Sequence, residues 1–331
     1  MTGARFRILA LDGGGIKGAF TAAALAELES TTKVRVVDHF DLVVGTSTGG
    51  ILAIALGMEV PPQTLLNLYC ERGHEIFSGR STAAHLRASI RHFFRPKHSS
   101  KALRTVLESV LGNKRLGESR VRLVIPTFDS LKGTACTFKT AHHPRLSHEY
   151  EMKAVDVAVA TASAPTYFGG ARVAGREGAV YVDGGVWANC PVLVGIVEAV
   201  HFLGQDLRNL HVLSIGTTRE SVDFVSKQTA GIFGWNVSLV DVMMAGQVTA
   251  AESQAKLLIG ERLHRINVPA GARTYKLDDG RRETAEELAA LGHSICRSAE
   301  HIQVVKSSFL DGIPVSPFVP CYQLPSDITE R

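Results

Sequence analysis

The residues with most chemistry in them are Gly45-Thr46-Ser47-Thr48-Gly49. A serine hydroxyl is a weak nucleophile until its surroundings activate it. The apolar run 42–44 before it reads as a buried strand, and the Ala/Leu-rich run 51–56 after it as a helix. Strand, G-x-S-x-G, helix is the context of a nucleophile elbow. The turn is sharp, and a side chain at Gly45 or Gly49 would obstruct the close approach of backbone to backbone. Ser47 would then stand at a helix N-terminus, where free N–H groups favour negative charge on its oxygen. The chemistry implied is attack on an acyl carbonyl. The same pentapeptide also fits an ordinary turn with Ser47 as a helix N-cap.

A second constellation is Asp12-Gly13-Gly14-Gly15-Ile16-Lys17-Gly18, between a strand expected within 5–11 and a helix over 19–28. Such a loop aims several backbone N–H groups at one spot, and the helix dipole adds to them, so it is an anion cradle. One use is an oxyanion hole for a tetrahedral intermediate. The other is dinucleotide binding, since Gly13-x-Gly15-x-x-Gly18 matches G-x-G-x-x-G. The dinucleotide reading wants an acid about 20 residues on, at the end of the second strand. Glu29 falls too early, and Asp38 and Asp41 precede that strand. A third is Asp183-Gly184-Gly185, after a strand expected over 178–182. An acid there is well placed to face a site at the C-terminal edge of the strands, and equally suited to start a turn.

These residues need a scaffold. A chain of 331 residues can bury a sizeable core, and 45% hydrophobic with 21% charged residues is the balance of a globular protein. No apolar run reaches 18 residues and the N-terminus lacks a signal-peptide core, so a cytoplasmic location is expected. Five scattered cysteines without a C-x-x-C argue against a zinc ribbon or a disulfide framework. A net charge of +4 suits an anionic lipid surface and is too small for nucleic acid.

Further helices are expected over 63–77, 100–111, 153–161, 236–259 and 285–309, with Asn189 capping one over 191–203. Strands are expected over 120–128, 134–140, 210–215 and 262–268. The basic stretch 79–100, with Phe93 and Phe94, reads as a solvated face or a membrane-contact patch. The apolar loop 231–235 reads as packing. His142, His143 and His148 lack metal-ligand spacing and are expected in a polar loop. With no repeat or linker, residues 1–331 are expected to form one domain, its core about 5–310 and its tail, 311–331, irregular.

Taken in order, the glycine loop, Gly45–Gly49, Ser163-Ala164-Pro165-Thr166-Tyr167-Phe168 and Asp183–Gly185 resemble the patatin-like phospholipase family. The resemblance runs from about Arg5 to beyond Asp183, and more weakly to about Phe309. It implies an α/β fold of three α/β/α layers around a mainly parallel sheet. It implies a Ser47–Asp183 dyad cleaving acyl esters of lipids, without a metal cofactor. It puts the oxyanion hole in Gly13, Gly14, Gly15, Ile16, Lys17 and Gly18, chiefly the amides of Gly14 and Gly15. Thr46, Thr48, Pro165, Gly184 and Gly185 support the two reacting groups. A hydrolase of the order Ser, Asp, His would instead draw on His201, His211 or His264; the resemblance argues against a histidine. The chain is also similar to bacterial members of the family switched on by cyclic nucleotides in antiviral defence. The expected partners are then a phospholipid or other acyl ester, a transient peripheral contact with a membrane surface, a cyclic-nucleotide activator and a second copy of the chain. A non-catalytic storage or signalling role on the same fold stays open.

Overall fold

Short apolar runs, buried on both faces, make the centre of the fold, as strands of parallel sheets do. In the computed structural model, which describes residues 5–77, 97–219, 238–270 and 273–325, they are β1 (Phe6–Leu11), β2 (Leu42–Gly45), β3 (Arg122–Asp129), β4 (Thr134–Lys139), β5 (Tyr181–Asp183), β6 (Leu210–Ile215) and β7 (Leu263–Ile266). The sheet order is β4-β3-β2-β1-β6-β7, with β5 also on β3. Neighbours from β3 through β7 run parallel. Only β4 and β5 are antiparallel, both to β3.

Successive side chains along each strand serve opposite faces. Leu9, Leu11, Val43, Leu123 and Leu213 enter one core. Ile8, Ala10, Leu42, Val124 and Val212 enter the other. The first core is covered by α1 (Gly18–Thr32), α2 (Thr48–Gly57), α3 (Pro62–Ile76), α4 (Ser100–Leu111), α5 (Ala154–Thr161) and, after a short α6 (Gly185–Ala188) beside the site, by the later α9 (Arg282–Arg297). The second core is covered by α7 (Val192–His201) and α8 (Ser238–Ile259). The result is the expected α/β/α layering. No helix among the described residues is long and apolar enough to cross a membrane.

Two local expectations are corrected. The single helix expected over 285–309 is two, α9 and α10 (Ala299–Val305). Ser298 leaves the helical region at φ −62, ψ 134, and its side chain accepts the N–H of His301, so it starts a new helix. Asn189 does not cap α7, whose N-cap is Pro191; Asn189 instead follows α6 and turns toward Gly13. His142 lies in the loop after β4, as expected, but is buried there, with Nε2 2.8 Å from Glu198 Oε1 and Nδ1 2.9 Å from the Thr140 hydroxyl. Burial holds its ring below the usual histidine range, partly countered by Glu198. The tail from 311 is irregular yet tied back, its Val315 N–H donating to Asp38 O at 2.8 Å. Phe93, Phe94 and the 231–235 loop lie outside the described residues.

Candidate active site

Strand β3 has two edges, and their occupants bring Ser47 and Asp183 together. On one edge β4 pairs from Val124 to Asp129. On the other, β2 pairs only as far as Val124, because it ends at Gly45 to make its turn. Beyond that point β5 takes over, pairing Thr127–Asp129 from the opposite direction. Strands β2 and β5 therefore lie end to end in one slot, running toward each other. Asp183 thus arrives as the last residue of an antiparallel strand, and not after a strand over 178–182 as expected. Period-two spacing carries no strand direction; the pairing of β5 with the distant β3 sets it.

The turn after β2 is as tight as the glycines imply. A Cβ on Gly45 would lie 2.1 Å from Gly49 O, and one on Gly49 2.2 Å from Leu11 O. Ser47 sits at φ 55, ψ −123, a conformation that costs a residue with a side chain of order 1–3 kcal/mol and gathers at functional sites. The surroundings hold it there. Ser47 N–H donates to Thr161 Oγ1 at 3.0 Å, and Thr161 in turn donates to Pro126 O. Thr46 donates its hydroxyl to Ala188 O, and Thr48 hydrogen-bonds the hydroxyl of Tyr69. Ser47 occupies the N-cap position of α2 but makes no capping bond with its side chain. Its hydroxyl donates to Asp183 Oδ2 at 2.6 Å instead.

Asp183 is 5% exposed. Its Oδ1 accepts the Gly185 N–H at 2.7 Å. Burial pushes its carboxyl up to about 6, against the bonds from Ser47 and Gly185 that favour the charge. An unperturbed aspartate is a poor base for a hydroxyl; one near 6 is much closer to neutral working pH. Gly184 is required by crowding, since a Cβ there would lie 2.3 Å from Pro126 O.

The amides of the glycine loop can be counted. Gly13 N–H donates to Asn189 O, Ile16 N–H to Leu277 O and Lys17 N–H to Gly14 O. Gly18 N–H turns back on Gly15 O and Ile16 O. Among the described residues, the amides of Gly14 and Gly15 alone in this run have no partner, and both residues line the cavity that holds Ser47. Gly15 is at φ 57 and its Cβ would lie 2.2 Å from Leu277 O, so only glycine fits. The loop's first residue is anchored by a feature sequence reading missed. Arg265, on β7, forks onto Asp12 with Nη1 3.0 Å from Oδ1 and Nη2 2.5 Å from Oδ2. The signal was an acid at the end of β1 that, once buried, needs a cation; which one is set by sheet order.

Ser47, Asp183 and the two glycines open into a cavity of about 360 Å³. Its wall is mostly apolar, with Ile51, Phe77, Pro165, Tyr167 and Met243 among the lining residues. Among the described residues, no histidine lines it. His211, the second residue of β6, sits at the opposite end of the sheet, facing Arg7 of β1. His264 pairs with His301, and His201 rests on Phe202. No cluster that could hold a metal ion is found among the described residues.

Residues 9–196 match the sequence description of the patatin-like phospholipase family. The chain is 35% identical over 265 residues to a cGAMP-activated phospholipase of Pseudomonas aeruginosa, covering 79% of this chain and 78% of that one. It is 31% identical to a cGAMP-activated phospholipase of Vibrio cholerae, with 69% of each chain covered. It is also 28% identical to a potato protein described as a probable inactive patatin, over 72% of this chain and 70% of that one. Likeness to the last keeps membership and activity apart as questions.

Proposed function

The chain belongs to the patatin-like phospholipase family, and from that premise we propose that it hydrolyses acyl esters of lipids with Ser47 as nucleophile and Asp183 as its base. What supports this most is one contact: a serine held in a strained turn donates its proton, over 2.6 Å, to a buried carboxylate whose affinity for protons is raised. As Ser47 Oγ bonds to the acyl carbon, its proton passes to Asp183 Oδ2. The carbonyl oxygen takes the negative charge, and the unpartnered Gly14 and Gly15 amides in the cavity wall are the donors that stabilise it. When the C–O bond breaks, the leaving alcohol takes the proton from Asp183. Water then repeats the sequence on the acyl-enzyme: Asp183 accepts its proton, the oxygen attacks, and Ser47 leaves with that proton restored.

The apolar wall suits an acyl chain, with the headgroup left toward the opening. The relatives named as cGAMP-activated support a cyclic dinucleotide as the activator of this chain too, with phospholipid as its substrate. The test is release of fatty acid from phospholipid vesicles, with and without cGAMP, by wild type and by Ser47→Ala. Loss in Ser47→Ala with folding intact is expected; activity retained there refutes the nucleophile. No response to cGAMP in an active wild type refutes the activator alone.

A further inference from the structure

The bend that leaves two loop amides free is held from outside by one carbonyl. Leu277 O accepts the Ile16 N–H at 2.9 Å and fills the space where Gly15 would carry a Cβ. The next residue, Asp278, is buried, and its Oδ2 takes both the Lys97 ammonium and, at 3.0 Å, His98 Nε2. Lys97 and His98 are themselves laid along the cavity wall: their N–H groups donate to Thr166 O at 3.1 Å and Tyr167 O at 2.7 Å. The His98 ring stacks on Tyr167, 7° from parallel, and meets Phe77 edge-on. Thr166, Tyr167 and Phe77 line the cavity, as does Leu277. One carboxylate thus joins three distant pieces of chain, at 97–98, 166–167 and 277–278. It fixes the peptide whose carbonyl holds the loop's bend.

We propose that Asp278 is a positioning residue for the oxyanion-binding amides of Gly14 and Gly15; this rests on the reading of Ser47 and the glycine loop given above. Removing its charge frees Lys97 and His98 and lets Leu277 O drift from Ile16. The two amides then tilt away from the position the developing oxyanion occupies. Misalignment of this size, without removal of a donor, costs about 10–100-fold in rate. Binding of the ground-state ester relies on the apolar wall and changes little.

The experiment compares wild type and Asp278→Asn on a soluble chromogenic ester. It also measures the rate at which a p-nitrophenyl alkylphosphonate modifies each protein, because that displacement puts charge on an oxygen in the same hole. The expected result is kcat lower by about 10-fold or more, KM within about twofold, and phosphonylation slowed by the same factor as kcat. Lys97→Gln touches only the half-exposed partner, keeps the fold, and is expected to show the same pattern at about threefold. It decides the matter should Asp278→Asn not fold. Unchanged kcat, or a loss shared equally with KM, or a lower Tm with phosphonylation intact overturns the proposal. The two readings fail separately. An active Ser47→Ala refutes the site itself, whereas a dead Ser47→Ala beside a wild-type-like Asp278→Asn refutes only this role.

Discussion

Replacing Asp183 with asparagine is expected to remove activity and stabilise the protein. Burial moves the carboxyl from 3.8 to about 6. Each pH unit of such a displacement is worth about 1.4 kcal/mol, so the ionised side chain destabilises the fold by about 3 kcal/mol. The sign follows from proton counts. Below about pH 4 the carboxyl is protonated in folded and unfolded chains alike, and the penalty is absent. Between 4 and 6 the folded chain binds more protons than the unfolded one, so stability falls as pH rises. Above 6 the penalty is complete. Asparagine carries no charge at any pH. Its oxygen can accept the Gly185 N–H in place of Oδ1, and its amide can face Ser47 Oγ with the bond reversed. Allowing for imperfect fit, Asp183→Asn gains about 1–3 kcal/mol at pH 8 and under about 1 kcal/mol at pH 4. For 331 residues this is a Tm higher by roughly 2–4 °C at pH 8. Urea unfolding of both proteins at the two pH values measures it, and ester hydrolysis should fall by at least about 100-fold. Equal stability of the two proteins at pH 8, or the same gain at both pH values, would refute the claim of a buried charge held against its solvation.

Other outcomes follow from the same geometry. In wild type, kcat/KM for a neutral ester should rise with pH through a midpoint near 6 and then level off, because Asp183 must be ionised to accept the Ser47 proton; a profile centred near 4 would remove the burial argument. Gly15→Ala forces a side chain onto Leu277 O at a positive φ, and should lower kcat by about 100-fold with a smaller change in KM. Arg265→Met leaves Asp12 charged and buried and should destabilise by about 3–5 kcal/mol, read by urea unfolding, with much of the loss recovered when Asp12→Asn is added. An additive double mutant would show that the two side chains act independently.

Much of the fold could be read from the chain itself. The runs at 6–11 and 42–45 are apolar at nearly every position, and 210–215 at four of six, which is the mark of strands covered on both faces. Gly45 and Gly49 pointed to the elbow because the backbone contact that excludes a Cβ lies within the same turn, or one strand away. What could not be read depends on pairings between distant segments. The direction of β5 comes from its place on β3. The partner of Asp12 is 253 residues away, and the partners of Asp278 are 180 and 181 away. That the loop residue His142 is buried could not be read either, because its partner Glu198 comes from α7, 56 residues on. The break at Ser298 had a local signal, a serine before an acidic turn, hidden by the apolar pattern continuing across it.

In the mechanism proposed above, Ser47, activated by Asp183, forms the acyl-enzyme. The most direct measurement is intact-protein and peptide mass spectrometry after brief reaction with an alkyl fluorophosphonate, on wild type and Asp183→Asn. The expected result is one adduct per wild-type chain, on Ser47, formed far more slowly in Asp183→Asn. An adduct on a different residue, or one on Ser47 that forms at the same rate without the carboxylate, would contradict it.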